Sequence, residues 1–330
     1  MKKNIILKKF ELNDRKLSEQ WLFWVSILLP LFVSILLCIP IWTKTQWDLS
    51  ATGYEVFLNL YKLPMGILSL SIPFVAIVAH IHRTIQTAEQ IKTTKVKNIA
   101  DGFFSHHKYI TENISKIPKK EIHLASSLIE YKIDDPYHIY SYIFEGSSYE
   151  KGVNTENIED KTNKIYHGIN HLEEDLGELK TLEDFGQKIF ALAKLEVSIR
   201  NLEEILSLSY PPQQIKKRAM HKNPFGINMI VTEFHSENEL KDRIRELIFF
   251  TTKILQLINM PLSISESTRF YIGKRFKNQY FLSDVFNNTI DTKSMSLYNI
   301  APDGNKSLDD FYKEYCYRLE EEKKNQSGDF

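Results

Sequence analysis

The stretch WLFWVSILLPLFVSILLCIPIW, residues 21–42, carries no charge along its whole length. As a helix rising about 1.5 Å per residue it reaches roughly 33 Å, enough for the ~30 Å hydrocarbon layer of a bilayer. Trp21 and Trp24 at one end, and Trp42 and Trp47 at the other, suit the headgroup level. Pro30 and Pro40 would kink a soluble helix, whereas in lipid neighbouring helices re-satisfy the freed carbonyls. A second uncharged stretch, LPMGILSLSIPFVAIVA, covers residues 63–79. It gives about 25 Å, slightly short of the layer, which flanking residues and local thinning of the bilayer make up. A buried core helix is the other reading of this stretch, but the first span makes a returning span the simpler one. A cleaved leader does not fit residues 21–42, because the apolar run is too long and no small-residue cleavage site follows Pro40.

Working outward, residues 1–20 form a basic N-terminal segment with Lys2, Lys3, Lys8, Lys9, Arg15 and Lys16. The loop 43–62 holds only Lys44 and Lys62, and Arg83, Lys92, Lys95 and Lys97 follow the second span. By the excess of basic residues on the inner side, both termini are expected in the cytoplasm of a two-pass membrane protein. The expected order is transmembrane helix 1 over 21–42, an external loop over 43–62 and transmembrane helix 2 over 63–82. A cytoplasmic stalk helix over 83–118 follows, then a mainly helical cytoplasmic partner-binding domain over 119–330. Two cysteines, Cys38 and Cys316, agree with a reducing compartment and are too few for a disulfide framework.

Within the second span Gly66, Ser69, Pro73 and Ala76 recur at three- and four-residue spacing, and His80 continues the row. Small residues on one stripe let helices approach closely in lipid. The stripe has two readings: packing against the first span of the same chain, or self-association into a homo-oligomer. His80 and His82 with Arg83 stand at the membrane edge, either as interfacial anchors or as titratable groups in a gate.

Beyond the spans the pattern stays helical. Ile85, Ala88, Val96, Ile99 and Phe103 keep a helical period, and Pro118 marks a stop. Leu182, Phe185, Ile189, Leu192, Leu195 and Ile199 repeat at 3.6 within a helical region over 163–209, which Tyr210-Pro211-Pro212 ends. Ile244, Leu247, Ile248, Thr251, Ile254 and Leu255 line one face of a helix over 240–257, and 308–324 reads as a last helix. Only 227–234 suggests a strand. The fold class is mainly α.

Familiar chemistry is absent. Neither G-x-x-x-x-G-K-[ST] nor G-x-G-x-x-G occurs, nor G-x-S-x-G or H-E-x-x-H, so the chain is not expected to be an enzyme or to hold a cofactor. His167 and His171 stand at i, i+4, but no third ligand has convincing spacing, and no metal is expected. Two clusters are candidate nucleic-acid or partner contacts. In RFYIGKRFKNQYF, residues 269–281, Lys274, Arg275 and Lys277 alternate with aromatic rings that suit stacking on single-strand bases. Lys216, Lys217 and Arg218 follow Pro211-Pro212 in an expected loop. The alternative for 269–281 is a helix with an aromatic core face and a basic solvent face.

Residues 63–91, LPMGILSLSIPFVAIVAHIHRTIQTAEQI, resemble the two-transmembrane effectors encoded beside retron reverse transcriptases in bacterial anti-phage systems. The resemblance rests on Leu63-Pro64 opening the second span and on the run His82-Arg83-Thr84-Ile85-Gln86-Thr87-Ala88 at its end, with the aromatic/basic helix Phe103 to Tyr109 beyond. It covers about fifty residues together with the hairpin topology, and no motif extends it past residue 120. What it implies is a toxin-like membrane effector, held silent by a reverse transcriptase and its single-stranded DNA–RNA product. Released, it would perturb the inner membrane and cause abortive infection. The other reading is a membrane-anchored scaffold or receptor whose helices are only a tether.

The formal charge of zero, 42 Lys+Arg against 42 Asp+Glu, is a sum of opposites. Residues 1–97 hold twelve basic and six acidic side chains, and the remainder hold thirty and thirty-six. The basic part suits an anionic lipid surface.

Overall fold

A computed structural model describes residues 12–125, 127–209, 216–224, 226–273, 279–292 and 308–327. The chain is mainly helical, at 67%, and divides into two compact units, Met1–Ile99 and Ala100–Phe330. Two helical stretches are long and apolar enough to cross a membrane, Trp21–Trp42 and the run Ala51–Ser115.

In the first unit, α1 is Trp21–Trp42, coincident with the uncharged run. It packs against α2, Ala51–Ser69. The seam is made of small residues: Ser26, Pro30 and Ser34 of α1 and Pro64 of α2 are buried, and the Ser34 hydroxyl donates to the Pro64 carbonyl at 2.9 Å. The larger apolar side chains face outward, with Phe32 61% and Leu29 56% exposed. A helix apolar all round with so little of its surface covered by protein suits a lipid surrounding.

The returning helix begins at Ala51, twelve residues before the apolar run from which sequence placed it at 63. Ser50 caps it by accepting from the Gly53 amide at 3.1 Å. Gly53 is required there, since a Cβ would stand 2.2 Å from the Asp48 carbonyl oxygen. The helix breaks once, at Leu70, and α3 then runs Ser71–Ser115. Pro73 accounts for the break: in a continuous helix its ring would clash with the Ser69 carbonyl, whereas in the first turn its missing N–H costs nothing. Ser69 and Ser71 donate to the carbonyls of Gly66 (2.7 Å) and Leu68 (2.8 Å), satisfying groups near the break. α3 ends just ahead of Pro118, as the sequence signalled.

The second unit is built on two long helices, α5 (Ile158–Leu179) and α6 (Phe185–Ile205), which pack together and support α7 (Glu237–Leu257). Ile165, Ile169, Leu172, Leu195, Leu202, Leu240, Ile244 and Leu247 are fully or almost fully buried in one core. Gly168 permits the α5–α6 approach, because a Cβ there would meet the Leu202 side chain at 2.7 Å. Short helices α4 (Pro136–Ile143), α8 (Glu266–Ile272) and α9 (Ser283–Asn287) fill the periphery, and α10 is Leu308–Ser327.

The helical domain also contains strands that the sequence reading lacks. β1 (Lys120–Leu124) and β2 (Ser127–Tyr131) form an antiparallel hairpin against α7. β3 (Lys217–Asn223) lies between β4 (Gly226–Thr232) and β5 (Ile290–Asp291), all antiparallel neighbours. β4 is the strand read at 227–234, shifted and shortened. β3 replaces the expected loop at Lys216–Arg218, because the β4 ladder and the α6 and α10 contacts supply what its charged sequence KRAMHKN does not advertise. A second, smaller core joins Met220 and Ile290 to Phe311 and Tyr315 of α10.

Candidate functional site

The small-residue stripe faces outward. Gly66, Ser69, Pro73, Ala76 and His80 are all exposed, and nothing lies within 4 Å of a Cβ added at Gly66. The seam with α1 uses Ser26, Pro30 and Ser34 instead, a row at i, i+4, i+8 legible in the sequence but passed over for the longer row in the second span. The packing of the stripe against the first span is therefore not what the chain itself provides.

The membrane-edge motif splits by side of the helix. His82 is 4% exposed, and its Nε2 lies 2.6 Å from the Arg15 carbonyl, so this nitrogen donates. Gln86 donates to the Asp14 carbonyl at 3.3 Å. These bonds tie the segment preceding α1 to α3. Arg83 and Thr87 lie on the exposed side, with the Thr87 hydroxyl donating to the Arg83 carbonyl at 2.9 Å.

In the second unit the basic cluster at 216–218 is split between two environments. Lys216 is exposed, whereas Lys217 pairs with Asp291 at 2.8 Å. Arg218 points to the other side of β3, is 2% exposed, and stands 5.2 Å from the centre of the Phe311 ring. Burial lowers its pKa. A strand turns successive side chains to opposite faces, so three adjacent basic residues cannot share one surface. Lys274, Arg275 and Lys277 lie outside the described residues.

Two aromatic residues flanking that second cluster, Tyr271 and Phe281, serve the core. Tyr271 is 2% exposed and stacks on Phe281, with ring centres 5.4 Å apart and planes 9° apart. Its hydroxyl donates to Glu237 at 2.8 Å. Tyr271 and Phe281 are thus taken from any base-stacking platform, in keeping with the core-face alternative. The first three turns of α7 hold both ends of the segment. Glu237 accepts from the amides of Phe281 (2.8 Å) and Leu282 (2.9 Å), and Arg245 donates to the Ile272 carbonyl at 2.8 Å. Lys241 donates to the Gln279 carbonyl and lies 3.8 Å from the centre of the Tyr280 ring. Its pKa is lowered, chiefly by burial.

The strongest electrostatic features are ones the sequence analysis did not single out. Glu203 of α6 receives a two-point ion pair from Arg243 of α7, one contact at 3.0 Å, and the Tyr131 hydroxyl of β2 donates to it at 2.6 Å. Arg243 also lies 4.7 Å from the centre of the Tyr131 ring. Burial works against the charged guanidinium, but Glu203 outweighs it and the pKa of Arg243 is raised. Two turns earlier on α6, Glu196 is 9% exposed, and its Oε1 has no hydrogen-bond partner among the described residues. Burial lifts its pKa to about 7, against the Thr232 hydrogen bond. The available signal was two carboxylates seven residues apart, Glu196 and Glu203, on the apolar face of α6 with Leu192, Leu195, Ile199 and Leu202.

His106 sits among Phe144, Tyr140 and His107, its Nδ1 3.1 Å from the Tyr140 hydroxyl, with its pKa lowered by burial and then by His107. His171 meets Glu174 at 3.4 Å on the surface. Among the described residues no group of three His, Cys, Asp or Glu is placed to hold a metal.

Comparison with protein-family models, with curated proteins and with solved structures returns no match.

Proposed function

We propose that the chain is a membrane effector of a bacterial anti-phage retron system, a two-pass protein of the inner membrane with both termini cytoplasmic. A reverse transcriptase and its DNA–RNA product hold it silent, and on release its helices perturb the membrane. The observation that carries this reading is the outward surface of α1 and α2. Apolar side chains and the stripe Gly66, Ser69, Pro73, Ala76 and His80 are turned away from the intramolecular seam, toward lipid or further copies. The basic flanks support the orientation, and the resemblance of residues 63–91 supports the class of system.

Expressed alone in bacteria, the chain is expected to collapse the membrane potential reported by a potential-sensitive dye. Gly66→Leu with Ala76→Leu should weaken this about tenfold or more while insertion is retained, since the space around Gly66 is open within the chain. Exchange of residues 20–82 for an unrelated two-span hairpin should abolish it. An intact potential at high expression of inserted protein overturns the effector reading. Full anti-phage activity after the exchange favours the scaffold whose helices are a tether.

A further inference from the structure

β4 is the edge of its sheet, and among the described residues its outer side has no strand partner. Its sequence is Gly226-Ile227-Asn228-Met229-Ile230-Val231-Thr232. It carries no charge and no proline, and pairs with β3 residue for residue without a bulge. Natural edge strands are normally blunted by lysine, proline or bulges, because an open edge templates pairing with another chain. This edge has none of those devices.

The edge also lines a groove of about 650 Å³. Ile227 and Met229 line it from the sheet face they share with Met220, and Phe190 and Ala193 line it from α6, which covers the other face, that of His221 and Asn228. Phe190 is 65% and Met229 39% exposed, large apolar surfaces beside an open row of backbone groups. The rim is acidic. Glu178 and Asp184 line the groove, and its one lysine, Lys194, already lies between Asp175 (3.8 Å) and Glu178 (3.5 Å).

We infer that the outer edge of β4 docks an extended segment of a partner protein, alternating apolar and basic residues, which adds to the sheet as a further strand. Backbone hydrogen bonds to β4 supply affinity, and alternate side chains reach Ile227 and Met229 on one face of the sheet and Phe190 with the acidic rim on the other. A second copy of this chain fits less well, because two copies would bring their acidic rims together. The inference concerns the second unit alone and stands independently of the membrane reading.

The test uses the full chain in a zwitterionic detergent and a fluorescent peptide of alternating lysine and valine, read by anisotropy. Saturable binding is expected. A glutamate–valine peptide, or the first peptide with alternate amides N-methylated, should bind at least about tenfold more weakly. Met229→Lys, which blunts the edge, and Phe190→Asp, which spoils the wall, should each cost about tenfold or more with the circular dichroism unchanged. Both residues are exposed, and either variant suffices if the other misfolds. No saturable binding, equal binding of the acidic or N-methylated peptide, or indifference to both substitutions overturns the inference. Self-association dispersed by Met229→Lys overturns it in favour of a second copy. A cell that keeps its membrane potential while the peptide binds refutes the effector reading and leaves this one standing.

Discussion

Arg243→Met is expected to lower the stability of the second unit by about 3–5 kcal/mol, the cost of stranding a buried charge. The guanidinium is 1% exposed, and Glu203, 5% exposed, depends on it and on the Tyr131 hydroxyl for its hydrogen bonds. Removing Arg243 leaves a carboxylate in an apolar seam with one neutral donor. Three elements are joined at this point: β2, α6 and α7. Replacing both partners, Glu203→Gln with Arg243→Met, should recover much of the loss, since no uncompensated charge then remains. Nη1 of Arg243 has no partner among the described residues, so the pair is not fully satisfied and its joint removal costs less than either single change. Urea midpoints of the full chain in detergent, read as hydrogen-exchange protection of α6 and α7, measure both. A single-variant loss under about 1 kcal/mol would rule out the seam as a stabilising centre.

Glu196→Gln should stabilise the same unit by about 3 kcal/mol at alkaline pH and scarcely at all near the unfolded carboxyl's own pKa. The sign follows from the direction of the shift. Burial raises the folded pKa from 4.5 to about 7, so the folded state holds a proton that the unfolded state has lost over that window. Stability is therefore intact below about pH 4.5, falls as the pH rises through the window, and levels off above about pH 7 with the full penalty in place. Glutamine keeps the shape and a hydrogen-bonding group toward Thr232 without the charge. The charged groups around the site pull in opposite directions: Glu233 raises the pKa, and Arg200 and Lys216 lower it. Urea midpoints of both proteins across this range should diverge as the pH rises, and parallel profiles would refute the buried-acid account.

The apolar part of the molecule was legible because one property, the absence of charge over 22 residues, marks α1 from Trp21 to Trp42 without reference to anything distant. The start of α2 was not, since Glu55 and Lys62 interrupt the apolar run, although Ser50 offered a capping signal. β1 to β3 escaped for a related reason. Strands of five to seven residues, with Lys, Glu and His along them, draw their stability from neighbours on the sheet and from the helices that cover it. The prolines at 211 and 212 made the following basic cluster look like a loop, and the error carried into the site, because a strand parts Lys217 from Arg218. The pairing of Glu203 with Arg243 and Tyr131 crosses 40 and 72 positions, and no local spacing encodes such a meeting. Only the misplaced charge on an apolar helix face hinted at it.

The tryptophans at the two ends of α1 have an optical consequence. All four in the chain, Trp21, Trp24, Trp42 and Trp47, fall within the first unit, whereas most of the sixteen tyrosines belong to the second. Red-edge excitation therefore reads the apolar helix and the turn after it alone, and tyrosine emission reports mainly on the rest. A ligand added to the second unit that changes tryptophan emission has altered the surroundings of α1, so the protein carries its own label for communication between its two parts.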